Sequence, residues 1–342
     1  MALRFLESFD IYGESGATGT ALSNALAMRW TSVSISTTAL IISGWTSGLA
    51  FDFVAHNRYL RKTFDNQATW IIGFAYRQPT LINNTRCLSL YDGAEGVSTR
   101  QISLYVNGCG KIAIHRQTTV LGVTSKALKE NTWYYIELKV TIGNSGSYEL
   151  RVNGENWLSA SGVDTQHTAN AYASRLEFFC PNTNDAFFQL DDIYVADGTS
   201  GVSDFQGPTK IEALWPTADS TPLDWQVASG NHYDKIDERP YSSSDYVYEA
   251  TANDTDLYTY GNLAVVESNI FGVQMSTTAA LSEAGSMTLK ERWKAATAID
   301  GASHTVDSTT YTTKIGVRET DTDSNAWTAS VVDAGEYGIK VG

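Results

Sequence analysis

Cysteine and proline are scarce in this chain, three and six respectively among 342 residues. Cys87, Cys109 and Cys180 are odd in number, far apart and outside any CxxC pair, which excludes a disulfide framework or a zinc ribbon. Cys180, inside RLEFFCP, reads as a small buried hydrophobe. Positive charge is also short: 24 Lys and Arg face 38 Asp and Glu, a formal net charge of −14. The deficit is concentrated in residues 209–342, where nine basic residues meet twenty acidic ones. Phosphate recognition relies on clustered Lys and Arg, so no nucleic-acid partner is expected, and the acidity serves solubility. No run approaches the roughly 18 consecutive apolar residues of a membrane span, so no membrane insertion is expected. The opening MALRFLESFD lacks the basic start and long apolar core of a signal peptide, which predicts a protein made in the cytoplasm without an export address.

Catalytic signatures are missing as well. His56, His115, His167, His232 and His304 fall in five separate segments, without HExxH or another metal-ligand spacing. There is no GxSxG elbow, no P-loop and no GxGxxG after a strand. Glycosidases that set two glutamates on one strand need an ExDxE-type run, and none occurs. These absences predict a protein that is not an enzyme and needs no cofactor.

Thr, Ser, Gly, Asn and Tyr dominate what remains, a mixture suited to strands and turns. In WYYIELKVTI the residues Tyr134, Ile136, Leu138, Val140 and Ile142 alternate with Glu137, Lys139 and Thr141, which places the second set on a wet face. GNSG turns the chain into SYELRVNG, and NGCG joins QISLYV to KIAIH, so both read as antiparallel hairpins. ESFDIYG, GLAFDFVA, ATWIIGFAYR, RCLSLYD and SRLEFFC are further strands, and no helix is expected before residue 200. ADGTSGVSDFQGP is small, polar and closed by Pro208, as linkers are. Beyond it YVYEAT, DLYTYGNL, SMTLKERW and EYGIKV again read as strands. The predicted fold is all-β: a jelly-roll sandwich over residues 1–198, a linker over 199–208 and a smaller β-sandwich over 209–342.

FQLDDIYVADG holds a parity change. Phe188 and Leu190 occupy even positions, Ile193 and Val195 odd ones, so the inward face shifts by one residue across Asp191 and Asp192. A β-bulge produces that shift, and short acids that accept backbone N–H groups suit it. Two other readings stand beside it: a calcium-ligand pair, for which PNTND at 181–185 would supply a supporting loop, and catalytic carboxylates. The nine Trp and eighteen Tyr either fill cores or stack on sugar rings. Trp45, Trp157, Tyr172 and Asn182, on or beside Gly/Asn-rich loops, are the glycan-binding candidates.

ESFDIYG, the downstream Arg29-Trp30, the WYYIELKV…YELRVNG hairpin and the closing LDDIYVAD together resemble concanavalin/laminin-G-like jelly-roll domains, found in many tailed-bacteriophage and prophage structural proteins. KIEALWPTADST, DWQVASGNHYDKIDE, DLYTYGNL and WTASVVDAGEYGIKVG resemble a second module that follows such domains in phage proteins. The resemblance implies adjacent first and last strands, which would bring Asp10 near Asp191 and Asp192. It also implies a non-enzymatic virion structural protein: a capsid-decoration, head or tail accessory, or fibre-type component. Its partners would be its own copies, in a homotrimer, and capsid or tail proteins. The alternative is a receptor- or glycan-binding module of a fibre that meets a host-surface glycan. The sequence has no coiled-coil heptads and opens on a strand, which favours the accessory reading.

Overall fold

The structure, a computed structural model, describes residues 2–82, 84–181, 187–199, 201–264 and 269–342. Strands account for 48% of the chain and helices for 8%, so the all-β expectation holds. The chain divides into two compact units, residues 1–211 and 212–342.

Period-2 patterning builds the first unit as two facing antiparallel sheets. One runs, in spatial order, through Glu155–Val163, Gly146–Val152, Trp133–Thr141, Thr69–Arg77, Gln189–Ala196, Leu49–Asp52 and Leu40–Ser43. Leu3–Glu7 also pairs with Gln189–Ala196, so first and last strands of the unit are indeed neighbours. The other sheet runs through Thr119–Val123, Ile112–Arg116, Arg100–Val106, Thr85–Tyr91, Ala173–Cys180, Arg58–Gln67 and Ser32–Ser34. Both predicted hairpins form, with Leu138 opposite Leu150 and Leu104 opposite Ile114. Inward residues such as Leu60, Leu88, Leu104, Ile136 and Leu138 are wholly buried. Phe74 of one sheet meets Phe178 of the other edge to face, at 5.2 Å between ring centroids.

Glu137 was expected on a wet face, yet it is fully buried. Its cover is the segment read as a linker. Gln206 and Gly207 donate their N–H groups to Glu137 Oε1 at 3.0 and 2.9 Å, and the Tyr194 hydroxyl donates at 2.7 Å. Phe205 lies under the Arg151 guanidinium, and Lys139 pairs with Asp204 at 3.2 Å. Tyr194 reaches Glu137 by crossing Gly73, where an added Cβ would stand 2.1 Å from its ring.

The expectation of no helix before residue 200 is corrected by Gly19–Arg29. Leu22, Ala25, Leu26 and Arg29 are its buried residues, the i, i+3, i+4, i+7 stripe of an amphipathic helix. The stripe is narrow and ends on an arginine, so it barely registers as apolar. Arg29 is nonetheless held inside, donating from Nη2 to Leu6 O at 3.0 Å and lying 3.4 Å from Glu7.

In the second unit the sheet order is Pro216–Leu223, Thr255–Tyr260, Glu336–Val341, Met287–Lys294 and Ala298–Val306, with a separate pair Val273–Ala279 and Thr312–Arg318. SMTLKERW is a strand, as its alternation indicates. Its Trp293 packs with Met275, Trp327, Val332 and Tyr337 in the core. Ala329–Asp333 forms a short helix capped by the Thr328 side chain.

Asp191 and Asp192 sit at a register shift in the pairing of Gln189–Ala196 with Thr69–Arg77, and Asp192 adopts a φ of 47°. Asp191 accepts the N–H groups of Trp45 and Asp192 at 2.7 and 2.8 Å, and Asp192 accepts that of Ile211 at 2.7 Å. Among the described residues no group of three or more His, Cys, Asp or Glu is arranged to hold a metal. Burial first, then the charges of Asp192 and Asp10, push the Asp191 carboxyl up to about 9 against the pull of its two N–H donors. The folded state therefore keeps a proton that the unfolded chain releases near its ordinary value of ~3.9. This group's contribution to stability is greatest below ~4 and is lost as pH rises towards 9. Asp191→Asn should flatten that part of the stability profile in chemical denaturation. Replacing both acids with Ala should cost about 1–3 kcal/mol near the acid end, through N–H donors left unpaired.

Candidate functional site

Along Ala173–Cys180, Leu176, Phe178 and Cys180 are buried in the core, so Arg175, Glu177 and Phe179 take the outer face of the seven-stranded sheet. Glu177 is 1% exposed and stands at the centre of this face. Its Oε2 accepts Arg61 Nε at 2.7 Å, and its Oε1 accepts the Tyr91 hydroxyl at 2.7 Å with Arg86 Nη2 3.3 Å away. Arg86 Nη1 donates to the Tyr91 oxygen at 2.6 Å and to Ser89 Oγ at 3.3 Å. Ser89 and Ser103 share a 2.9 Å hydrogen bond. Each arginine also lies on a ring: Arg61 over Tyr59 at 3.4 Å and Arg86 over Phe179 at 4.3 Å. Arg61 and Arg175 both reach Glu95.

Register turns these contacts into a stripe. Tyr59 is paired with Phe179, and Arg86 with Tyr105. His115 extends the stripe one strand further, its ring 4.3 Å from that of Tyr105. Tyr59, Phe179, Arg86, Tyr105 and His115 thus come from five adjacent strands, about 19 Å across at the usual strand spacing. All five side chains are half-buried.

The charges on this face are fixed by their neighbours. Burial, then Glu177, pushes the Tyr91 phenol up to about 12, so it remains a donor. Burial favours protonating Glu95, but its own backbone N–H and the charges of Arg61 and Arg175 hold it below the usual carboxylate range. Burial and then the Arg100 charge lower His115, leaving a neutral imidazole at neutral pH.

The glycan candidates read from the sequence lie elsewhere and apart. Trp45 packs on Tyr135 at 5.2 Å, Trp157 stands at the far edge of the eight-stranded sheet near Tyr134, and Tyr172 gives its carbonyl to Gln101. Asn182, with most of PNTND, lies outside the described residues. Sequence reasoning missed Arg61, Arg86, Tyr91 and Glu177. The signal that could have found Arg86, Tyr91 and Glu177 is the polar set left in SRLEFFC and RCLSLYD once the core residues are removed; Arg61 lies in neither.

No family pattern matches this sequence, and no curated protein does. Solved structures with a similar fold include an endo-β-1,4-glucuronan lyase from the fungus Trichoderma reesei, at 10% identity and a TM-score of 0.39, covering 54% of this chain and 95% of that one. A Trypanosoma rangeli sialidase matches at 10% identity and 0.36, covering 48% of this chain and 28% of that one. An alginate lyase from Aplysia kurodai matches at 12% and 0.36, covering 45% and 86%. At such identities the likeness is one of fold. The similar structures do not match the expectation of a non-enzymatic virion structural protein: these three are a glucuronan lyase, a sialidase and an alginate lyase, and none of them is a virion protein. Paired glutamates on one strand serve one chemistry only. A face bearing Arg, His and Tyr can move protons without a carboxylate pair.

Removing the central carboxylate tests the construction of this face. Glu177→Ala should cost about 3 kcal/mol or more in denaturant unfolding, because Arg61, Arg86 and Tyr91 lose a buried partner. Glu95→Ala, at the exposed end of the same network, should cost less than about 1 kcal/mol.

Proposed function

We propose that this chain is a carbohydrate-active protein that takes an extended anionic polysaccharide of the uronate class across the outer face of its seven-stranded sheet. The observation that carries the reading is the stripe from Tyr59 to His115, in which the half-buried Arg86 lies between Tyr59 and Phe179 on one side and Tyr105 and His115 on the other. In a chain of net charge −14, arginines gathered on one sheet face mark where an anion is welcome. A guanidinium matches a carboxylate in two parallel hydrogen bonds, and rings cover the apolar faces of sugars. The ~19 Å span suits a run of several sugar units rather than a single one.

The same residues suit β-elimination. A uronate whose carboxylate is neutralised gives up its C5 proton more readily. Arg86 would hold that carboxylate and neutral His115 would take the C5 proton. As the C4–O bond breaks and the C4–C5 double bond forms, the Tyr105 hydroxyl would protonate the departing oxygen.

The test is incubation with alginate, polygalacturonate and glucuronan, following the ultraviolet absorbance of the unsaturated product and, separately, binding. One of the three should be bound and cleaved, with binding that weakens as salt rises. Arg86→Ala should weaken binding tenfold or more. His115→Ala should abolish turnover while binding persists, and wild-type turnover should hold below pH ~6.5, since His115 deprotonates more easily than usual. Failure to bind any polyuronate, or binding indifferent to Arg86, overturns the reading.

A further inference from the structure

The second unit carries a cleft that belongs to no part of the face described above. Residues 226 to 248 leave and rejoin the sheet region as one closed loop, locked at its base by reciprocal backbone hydrogen bonds of 3.0 Å between Gln226 and Tyr248. Two acids of the sheet, Asp219 half-buried and Asp256 buried, pin the loop. Asp219 accepts the N–H groups of His232 and Tyr233 at 3.1 and 2.7 Å. Asp256, fully buried, accepts Trp225 N–H at 2.8 Å and meets His232 Nδ1 at 2.6 Å. The loop encloses a cleft of about 410 Å³ whose lining includes Lys235, Glu238, Ser242, Asp245, Tyr246 and Tyr248.

Two features make this a binding site rather than a gap. Tyr246 and Tyr248 are 49% and 46% exposed, among the few large hydrophobic side chains the described residues present to solvent. Their rings stand 6.2 Å apart at 65°, two faces of one corner. Around them the polar groups have both signs, with Lys235 Nζ 3.2 Å from Asp245. Burial, then the neighbouring Asp245, raises the Glu238 carboxyl above its usual range; Lys235 supplies the donor on this wall and Asp245 an acceptor. Small-ligand sites commonly combine a few hundred Å³, aromatic walls and a few convergent polar groups on a fixed frame.

We infer that this cleft binds an uncharged sugar unit, its ring against Tyr246 and Tyr248 and its hydroxyls on Lys235, Asp245, Glu238 and Ser242. A neutral polyhydroxyl ligand fits because it both donates and accepts. The acidic wall would repel a uronate, which separates this ligand from the one proposed for the first unit.

The experiment is calorimetric titration of the full chain with maltohexaose, cellohexaose, xylohexaose and mannohexaose, with tetragalacturonate as the anionic comparison. At least one neutral oligosaccharide should bind, with little dependence on salt. The double variant Tyr246→Ala/Tyr248→Ala, which alters only exposed rings, should weaken that binding at least tenfold. Arg86→Ala should leave it unchanged, so failure here and failure on the sheet face are separable. Circular dichroism on the double variant confirms that it folds. No binding of any neutral oligosaccharide, binding unaffected by the double variant, or binding of tetragalacturonate alone at this cleft would overturn the inference.

Discussion

A carboxylate buried in a β-sandwich must be surrounded by donors, because its lost hydration is far costlier than that of a neutral group. This chain buries many. Glu7 takes Phe9 N–H at 3.1 Å and the Tyr12 hydroxyl at 2.6 Å; Glu137 takes Tyr194 and two backbone N–H groups; Glu177 takes Arg61 and Tyr91. In the second unit Asp256 takes Trp225, His232 and Tyr258, and Glu291 takes Trp293 Nε1 at 3.1 Å and His304 Nε2 at 2.6 Å. The Glu137, Glu177, Asp256 and Glu291 sets join parts of the chain that are distant in sequence. The architecture is anchored at these acids as much as by its apolar core.

The shortage of Lys and Arg explains the choice of donor. Tyr12, Tyr91, Tyr194 and Tyr258 each give a hydroxyl to a buried carboxylate. Burial, reinforced by the acid alongside, raises the pKa of all four, which keeps them protonated. Part of the tyrosine content is therefore internal solvation rather than surface for ligands. Only against that background do Arg86 on Phe179, Tyr105 on His115 and the exposed Tyr246 and Tyr248 stand out as aromatic groups turned to other use.

The strands were legible because a two-residue period is a local property. QISLYV, KIAIH, WYYIELKV and SMTLKERW needed nothing beyond their own alternation, and the parity change at Asp191 marked its bulge. The helix Gly19–Arg29 was not legible, since its buried stripe ends on a charged residue that only Glu7 and Leu6 make tolerable. Burial of Glu137 was hidden because its cover comes from Gln206 and Gly207, about seventy positions later. The site was hidden for the same reason. Arg61 and Glu177 are separated by 116 residues and meet only through the register of two strands. At the close of the loop from 226 to 248, the run YVYEAT that reads as a strand forms only the single bridge Gln226–Tyr248, because the loop's frame is set by Asp219 and Asp256 on the sheet.

The segment 203–211 lies after the last strand of the first unit and is fastened to that sheet at Glu137, Lys139, Arg151 and Asp192. Tension arriving along the backbone from residue 212 would meet Ile211 on Asp192 first, and only later the main chain of Gln189–Ala196. It would have to peel these contacts one after another, while the strand behind them is paired on both sides. The strap thus places a series of side-chain contacts between an incoming load and the strand, as a mechanical fuse does.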